Sequence, residues 1–119
     1  MLAVGEHLLG PLDDQVLRMS SGLGGGVGST QQELCGALSG GVLIIGALYG
    51  RTRPDQDDEE CSRLVSTYRE RFLEEFGTTC CADLRERGFG SEGRWPCSTL
   101  VARSATILLD LLDANRQGR

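Results

Sequence analysis

Hydrophobic residues recur along most of the chain at intervals of three and four, the spacing of one face of an α-helix. The clearest case runs from Cys61 to Phe76, where charged residues occupy most of the remaining positions. The pattern predicts an amphipathic helix that ends at Gly77, because glycine adopts the left-handed backbone that commonly closes a helix. No stretch alternates apolar and polar residues as a half-buried strand does. The chain is therefore predicted to be helical.

Four further helices lie beside residues that start or stop helices. Aspartate and threonine side chains accept hydrogen bonds from the free amides of a helix's first turn, and proline has no amide hydrogen that needs a partner there. Glycine commonly ends the last turn of a helix. The first predicted helix is Leu2–Leu9, which stops before Gly10, and the second is capped by Asp13 or Asp14 and ends at Ser21. The third covers residues 80–87, with Thr79 as its cap and Gly88 after its end. The last predicted helix begins at Pro96.

The longest apolar stretch, residues 34–50, contains no charged residue. Thr30 and Glu33 have the spacing of a capping box and predict the start of a helix that continues through this stretch. The stretch is shorter than the roughly 20 residues that a membrane span needs, so a central helix buried on all sides is the better interpretation. Two pairs of glycines four residues apart would let neighbouring backbones approach this helix closely: Gly36 with Gly40, and Gly46 with Gly50.

Together these elements predict an all-α fold: a compact bundle of five to six helices around a Gly-rich apolar central helix. One domain accounts for residues 1–119. The glycine-rich run 22–28 cannot be a stable helix, and it lacks the G-x-G-x-x-G pattern of a dinucleotide site. It is predicted to be a close-packed turn, and an anion-binding nest of backbone amides is the alternative.

Composition narrows the classes of function. The net charge is −5 and no basic cluster is present, which disfavours nucleic-acid binding. A single histidine, His7, excludes a His-rich zinc site, and it is expected at the surface. The acidic run 55–60 is expected to be a solvated helix start rather than a metal site. The N-terminus lacks the features of a signal peptide, so a cytoplasmic protein with reduced thiols is expected.

Cysteines are the most distinctive chemical groups of the chain, and there are five. Cys80, Cys81 and Cys97 lie at predicted helix N-termini, whose partial positive charge favours the reactive thiolate form. Cys61 lies on the apolar face of its helix and is expected to fill the core. A disulfide between the neighbours Cys80 and Cys81 would be strained and is not expected.

The cysteines also stand in a recognisable order. Residues 35–40 read CGALSG, which matches a CGAxxG motif. A glycine-rich run precedes the motif, and two further contexts follow it, C-A-D-L at 81–84 and C-x-x-L-V at 97–101. Over nearly the whole chain this order resembles the C_GCAxxG_C_C family of putative redox-active proteins, which are small chains with four characteristic cysteines.

The resemblance implies that Cys35, Cys81 and Cys97 are the redox thiols, with Cys80 as a secondary candidate. Cys61 and Cys80 look like additions to the family pattern. The family's first cysteine has no counterpart here, so either the chain begins after that position or this thiol has been lost.

Three functional hypotheses follow. The first is thiol–disulfide or electron-transfer chemistry with an unknown redox partner. Trp95 is expected to pack over the loop before Pro96 and to help shield Cys97. The second is binding of zinc or an iron–sulfur cluster by Cys35, Cys81 and Cys97, completed by Cys80 or an outside ligand. The third is a helical interaction module with inert thiols, a homodimer being one form of it.

Overall fold

Helices form nearly all the regular structure. The computed structural model describes residues 2–90 and 95–118, and for Leu2 and Ala3 it describes the backbone alone. Those ranges contain no β-strand, and a single 3-10 turn, Ser21–Leu23, follows the second helix. The six α-helices are α1 (Leu2–Leu9), α2 (Asp14–Ser20), α3 (Gly36–Tyr49), α4 (Glu59–Phe76), α5 (Cys81–Glu86) and α6 (Cys97–Gln117).

The core lies between three of these helices. α3 packs against both α4 and α6, and α4 and α6 also pack against each other. Burying a large apolar side chain here stabilises the fold by about 1.5–3 kcal/mol. The predicted all-α bundle around a Gly-rich helix is confirmed. Its most deeply buried side chains are Leu38, Ile44, Ile45, Leu64, Tyr68, Phe72, Leu84 and Leu112.

Two of the predicted helix ends are confirmed by their backbone geometry. The carboxylate of Asp13 accepts hydrogen bonds from the amides of Gln15 and Val16, so Asp13 is the cap of α2. Gly77 closes α4 in a left-handed conformation, with φ at 81°. Its amide donates to the carbonyl of Leu73.

The predicted start of the central helix is wrong. α3 begins at Gly36, with Cys35 as its N-cap, and Thr30 caps no helix. The hydroxyl of Thr30 instead lies within hydrogen-bond distance of the carbonyls of Gly26 and Val27. It therefore donates to the preceding turn and not to a helix start. The other predicted starts differ by a residue or two. Cys80 rather than Thr79 is the N-cap of α5, and Pro96 is the N-cap of α6 rather than its first residue.

The glycines of α3 act only in part as their spacing predicts. A Cβ at Gly36 would lie 3.5 Å from the Cα of Gly24, so the backbone of the preceding turn does approach the start of the helix. A Cβ at Gly41, outside both predicted pairs, would lie under 3.0 Å from the ring of Tyr68. A Cβ at Gly46 would meet no atom within 4 Å, so that glycine permits no close approach. α3 is also not buried on all sides, because Leu43 and Leu48 are exposed. The helix therefore has one tightly packed face and one open face.

Among the described residues, no helix is long and apolar enough to cross a membrane.

Candidate functional site

A short main-chain pairing ties the start of α3 to the start of α5. Leu34 and Cys80 form an isolated antiparallel bridge. Beside it, the amide of Cys35 donates to a carbonyl ahead of α5 at 2.8 Å, and the amide of Cys81 donates to a carbonyl ahead of α3 at 2.9 Å. Backbone hydrogen bonds therefore hold two cysteines that are distant in the chain next to each other.

This pairing separates the neighbours Cys80 and Cys81. Side chains alternate between the two faces of paired extended segments. Cys35 and Cys81 thus lie on one face, and Leu34 and Cys80 lie on the other. The sulfur of Cys80 contacts the carbonyl oxygen of Gln31 at 3.9 Å, on its own side of the pairing.

Cys35, Cys81 and Cys97 line one cavity of about 300 Å³, called here the thiol cavity. Neither Cys61 nor Cys80 belongs to its lining. Its apolar walls include Leu23, Leu43, Leu84, Phe89, Leu100 and Val101. The structure therefore brings together the three cysteines that match the family pattern and leaves out the two that look added.

The lining follows helical spacing from each thiol. Residues three and four positions apart lie on the same helix face. Where a cysteine in the first turn lines the cavity, the side chains three and four positions later therefore line it too. On α5 this face carries Cys81, Leu84 and Arg85, and on α6 it carries Cys97, Leu100 and Val101.

The three thiols lie at different depths. Cys35 is buried, with 9% of its surface exposed, Cys81 is partly buried, and Cys97 is exposed. All five cysteines are free thiols. A molecule that enters from solvent would therefore meet Cys97 first and Cys35 last.

The pKa of Cys35 departs from the expectation for a helix N-terminus. Burial raises the pKa of its thiol above the ordinary 9.0, although backbone hydrogen bonds from Ala37 and Leu38 act in the opposite direction. Charge on Cys81 or Cys97 raises this pKa further. For Cys35, burial outweighs the helix terminus, and the thiol stays protonated at neutral pH.

Alkylation of the native protein tests this shift. Only the thiolate reacts, so we expect the rate of iodoacetamide labelling at Cys35 to rise about tenfold per pH unit from pH 7 and to continue rising above pH 9. In the unfolded chain the rate at Cys35 should level off near its ordinary pKa of 9.0. The measurement is peptide-resolved mass spectrometry. A plateau in the folded protein below that pH would contradict the raised pKa.

The glycine-rich run forms an unusual turn beside the site. The five consecutive residues from Gly25 to Ser29 all have positive φ, between 59° and 74°. Two of them, Val27 and Ser29, are not glycine, and such a conformation costs an L-residue about 1–2 kcal/mol. The run is thus a left-handed turn, in agreement with the predicted close-packed turn. No bound anion is needed to explain it, because much of its backbone is hydrogen-bonded within the chain.

The turn packs directly against one of the thiols. A Cβ at Gly26 would lie 2.7 Å from the Cβ of Cys81 and 2.8 Å from the Cα of Gln31. Gly26 is buried and has a φ of 74°. Only glycine fits there, for both conformation and space, and its backbone forms part of the support behind Cys81.

Other predicted residues lie away from the site. Cys61 is partly buried and packs against the core, as expected of a filler. His7 is exposed on α1. Trp95 does not line the thiol cavity and instead packs on the ring of Phe89, with ring centroids 5.4 Å apart. The prediction that Trp95 shields Cys97 therefore has no support in the lining of the cavity.

The metal hypothesis gains no geometric support. Across the part of the chain that the structure describes, no group of three or more His, Cys, Asp or Glu residues is placed to hold a metal ion. This includes the set Cys35, Cys81 and Cys97, and the acidic run 55–60.

One residue of the site was not predicted. Arg85 lines the thiol cavity four positions after Cys81. The spacing is a signal that sequence reasoning could have used, because it puts both side chains on one helix face. With twelve arginines in the chain and no lysine, however, composition gave no reason to single this one out.

These features define a small all-helical protein that gathers three thiols at one cavity. Residues 1–111 match the family model described as "Putative redox-active protein (C_GCAxxG_C_C)". The chain belongs to this family. No curated protein and no solved structure matches it.

Proposed function

We propose that the protein carries out thiol–disulfide exchange at the thiol cavity, with Cys97 as the attacking thiol and Cys35 as the resolving thiol. The observation that carries the proposal is the convergence of three family cysteines, from three helix starts, on one cavity. Their graded exposure supports this order, because the attacking thiol must be reachable from solvent.

The exchange balances with a disulfide as the only co-reactant. The Cys97 thiolate attacks one sulfur of the disulfide RSSR, which forms a mixed disulfide and releases RS⁻, which is protonated to RSH. The Cys35 thiolate then attacks the sulfur of Cys97, which closes a Cys35–Cys97 bond and releases the second RSH. RSSR gains two electrons and two protons, and the protein dithiol loses them. A dithiol reductant reverses these steps and restores the protein.

Cys35 is suited to resolve the bond because of its central position. The main-chain pairing links Cys35 to Cys81, and α3, which starts beside Cys35, packs against α6, which carries Cys97. Cys81 has a role as the third thiol. Its thiolate can attack Cys35 in the Cys35–Cys97 bond, which moves the disulfide inward and frees Cys97 as a thiolate. Such transient bonds fit a reducing compartment, and we propose the cytoplasm.

A redox titration tests the proposal. The protein is equilibrated at a series of reduced-to-oxidised dithiothreitol ratios, its free thiols are alkylated, and the remaining pairs are mapped by mass spectrometry. We expect one disulfide to form in a single two-electron step, with Cys35 in it and with Cys97 or Cys81 as its partner. C61S and C80S are the matched controls and should titrate like the parent protein.

Two outcomes would overturn the proposal. In the first, no pair among the three cavity thiols changes state across the titration, as expected of a helical module with inert thiols. In the second, the bond that forms requires Cys61 or Cys80.

A further inference from the structure

Arg85 is the one charged side chain among the described residues that line the thiol cavity. No ion pair between described residues involves it. Asp83 lies two residues before Arg85 on the same helix. Its carboxylate accepts a hydrogen bond from the hydroxyl of Thr78 instead. The cavity therefore has a single positive charge in walls that are otherwise uncharged and largely apolar.

The guanidinium of Arg85 also has an unused donor. Its Nε is buried and has no hydrogen-bond partner among the described residues. Buried polar side-chain atoms are nearly always hydrogen-bonded, and a buried donor on a charged group is especially costly to leave unpaired. The two terminal nitrogens of the guanidinium are not among the buried unpartnered atoms, so an anionic ligand can meet the guanidinium there. A small rotation of the side chain would then let the same anion accept from Nε.

The backbone of the following loop lies close beside this side chain. A Cβ at Gly90 would lie 3.3 Å from both Cγ and Nη1 of Arg85, so the glycine backbone packs closely along the side chain. Gly90 has a φ of 132°, a conformation open mainly to glycine. A neighbour this close restricts the rotamers of Arg85, so less side-chain entropy is lost when the residue binds a ligand.

We infer that the thiol cavity recognises small disulfides that carry a carboxylate, with Arg85 as the carboxylate-binding residue. The inference rests on the proposed function, since it names the substrate class of that exchange. A cavity of about 300 Å³ limits the substrate to a small molecule. The apolar walls would contact the carbon chain of such a molecule, and Arg85 would bind its carboxylate. The disulfide sulfurs of the molecule would then lie near Cys97.

Three disulfides of similar size and different charge provide the test: 3,3′-dithiodipropionate, bis(2-hydroxyethyl) disulfide and cystamine. The rate of mixed-disulfide formation on Cys97 is measured for each at pH 7 and divided by the rate on the unfolded chain. We expect the anionic probe to react about tenfold or more faster than the cationic one. R85Q should bring this ratio close to one, and R85K should retain part of it.

R87Q is the matched control. Arg87 is exposed, lies just beyond α5 and does not line the thiol cavity, and the substitution changes the net charge by the same amount. The probe ratio in R87Q should equal that of the parent protein. A ratio unchanged within about twofold in R85Q, or an equal fall in R87Q, would overturn the inference.

A second measurement needs neither a variant nor redox chemistry. 3,3′-Thiodipropionate has the same carboxylates joined by a thioether, which cannot exchange. It should slow the modification of Arg85 by phenylglyoxal at least several-fold and leave Arg87 unaffected. Protection without any disulfide exchange would defeat the proposed function and support carboxylate binding. Exchange without protection, and without any effect of R85Q, would defeat the inference alone.

Discussion

Alanine in place of Gly41 is expected to destabilise the protein by about 3 kcal/mol, the largest effect we expect of adding one methyl group. The added Cβ would lie under 3.0 Å from the ring and hydroxyl of Tyr68, which is almost completely buried. Tyr68 would have to move, which would break its hydrogen bond to the carbonyl of Ala37 and open the contact between α3 and α4. Urea unfolding followed by circular dichroism measures the loss.

G46A is the matched control, because it makes the same change in the same helix. A Cβ at Gly46 would meet nothing within 4 Å, so only the gain in helix propensity remains. We expect G46A to stabilise the protein by about 0.5–1 kcal/mol. Equal free energies of unfolding for the two variants would show that Gly41 does not mark the close packing of α3 on Tyr68.

Serine in place of Cys35 is expected to trap the mixed disulfide on Cys97. Without the resolving thiol, the bond between Cys97 and the substrate persists until a second molecule attacks it. We expect its lifetime at pH 8 to increase by about 100-fold or more, because neighbouring groups in a folded site react at very high effective concentrations. Intact-mass spectrometry after a pulse of bis(2-hydroxyethyl) disulfide measures the lifetime.

The pH dependence of resolution tests whether a thiol of raised pKa carries out the step. Because burial raises the pKa of Cys35, its thiolate fraction at neutral pH is small and increases with pH. In the parent protein the mixed disulfide should therefore last longest near pH 7 and resolve about tenfold faster for each pH unit gained. C61S should behave as the parent protein does. Rapid resolution in C35S would assign the step to Cys81 instead.

Periodicity predicted the helices that have one apolar and one polar face. For α4, the apolar spacing and Gly77 specified both the buried face and the end of the helix. The start of α3 could not be predicted in this way. The hydroxyl of Thr30 was assigned to a helix cap, whereas the chain uses it within the left-handed turn, and Gln31 itself has a positive φ of 64°. Whether the Thr30 hydroxyl serves a helix cap or the turn depends on how the turn packs, and the spacing of apolar residues contains no information about that packing.

The members of the candidate site were predictable from the resemblance, but their environments were not. The resemblance to the family pattern singled out Cys35, Cys81 and Cys97, and these three residues line one cavity. Their depths depend on how α5 and α6 lie over α3, and so burial, rather than the helix terminus, controls the pKa of Cys35. The same holds for Gly41, which only its neighbour Tyr68 distinguishes from Gly46. Its place in the lining of the thiol cavity distinguishes Arg85 from the other arginines of the described chain.

The pairing at Leu34 and Cys80 has a consequence for sequence variation. It is made of amide and carbonyl groups, which every residue except proline supplies in full. The side chains of Leu34 and Cys80 face away from the thiol cavity, so substitutions there leave the spacing of Cys35 and Cys81 intact. An extra cysteine at position 80 is therefore a change that the site tolerates, whereas proline at position 35 or 81 would remove a hydrogen bond that the site requires.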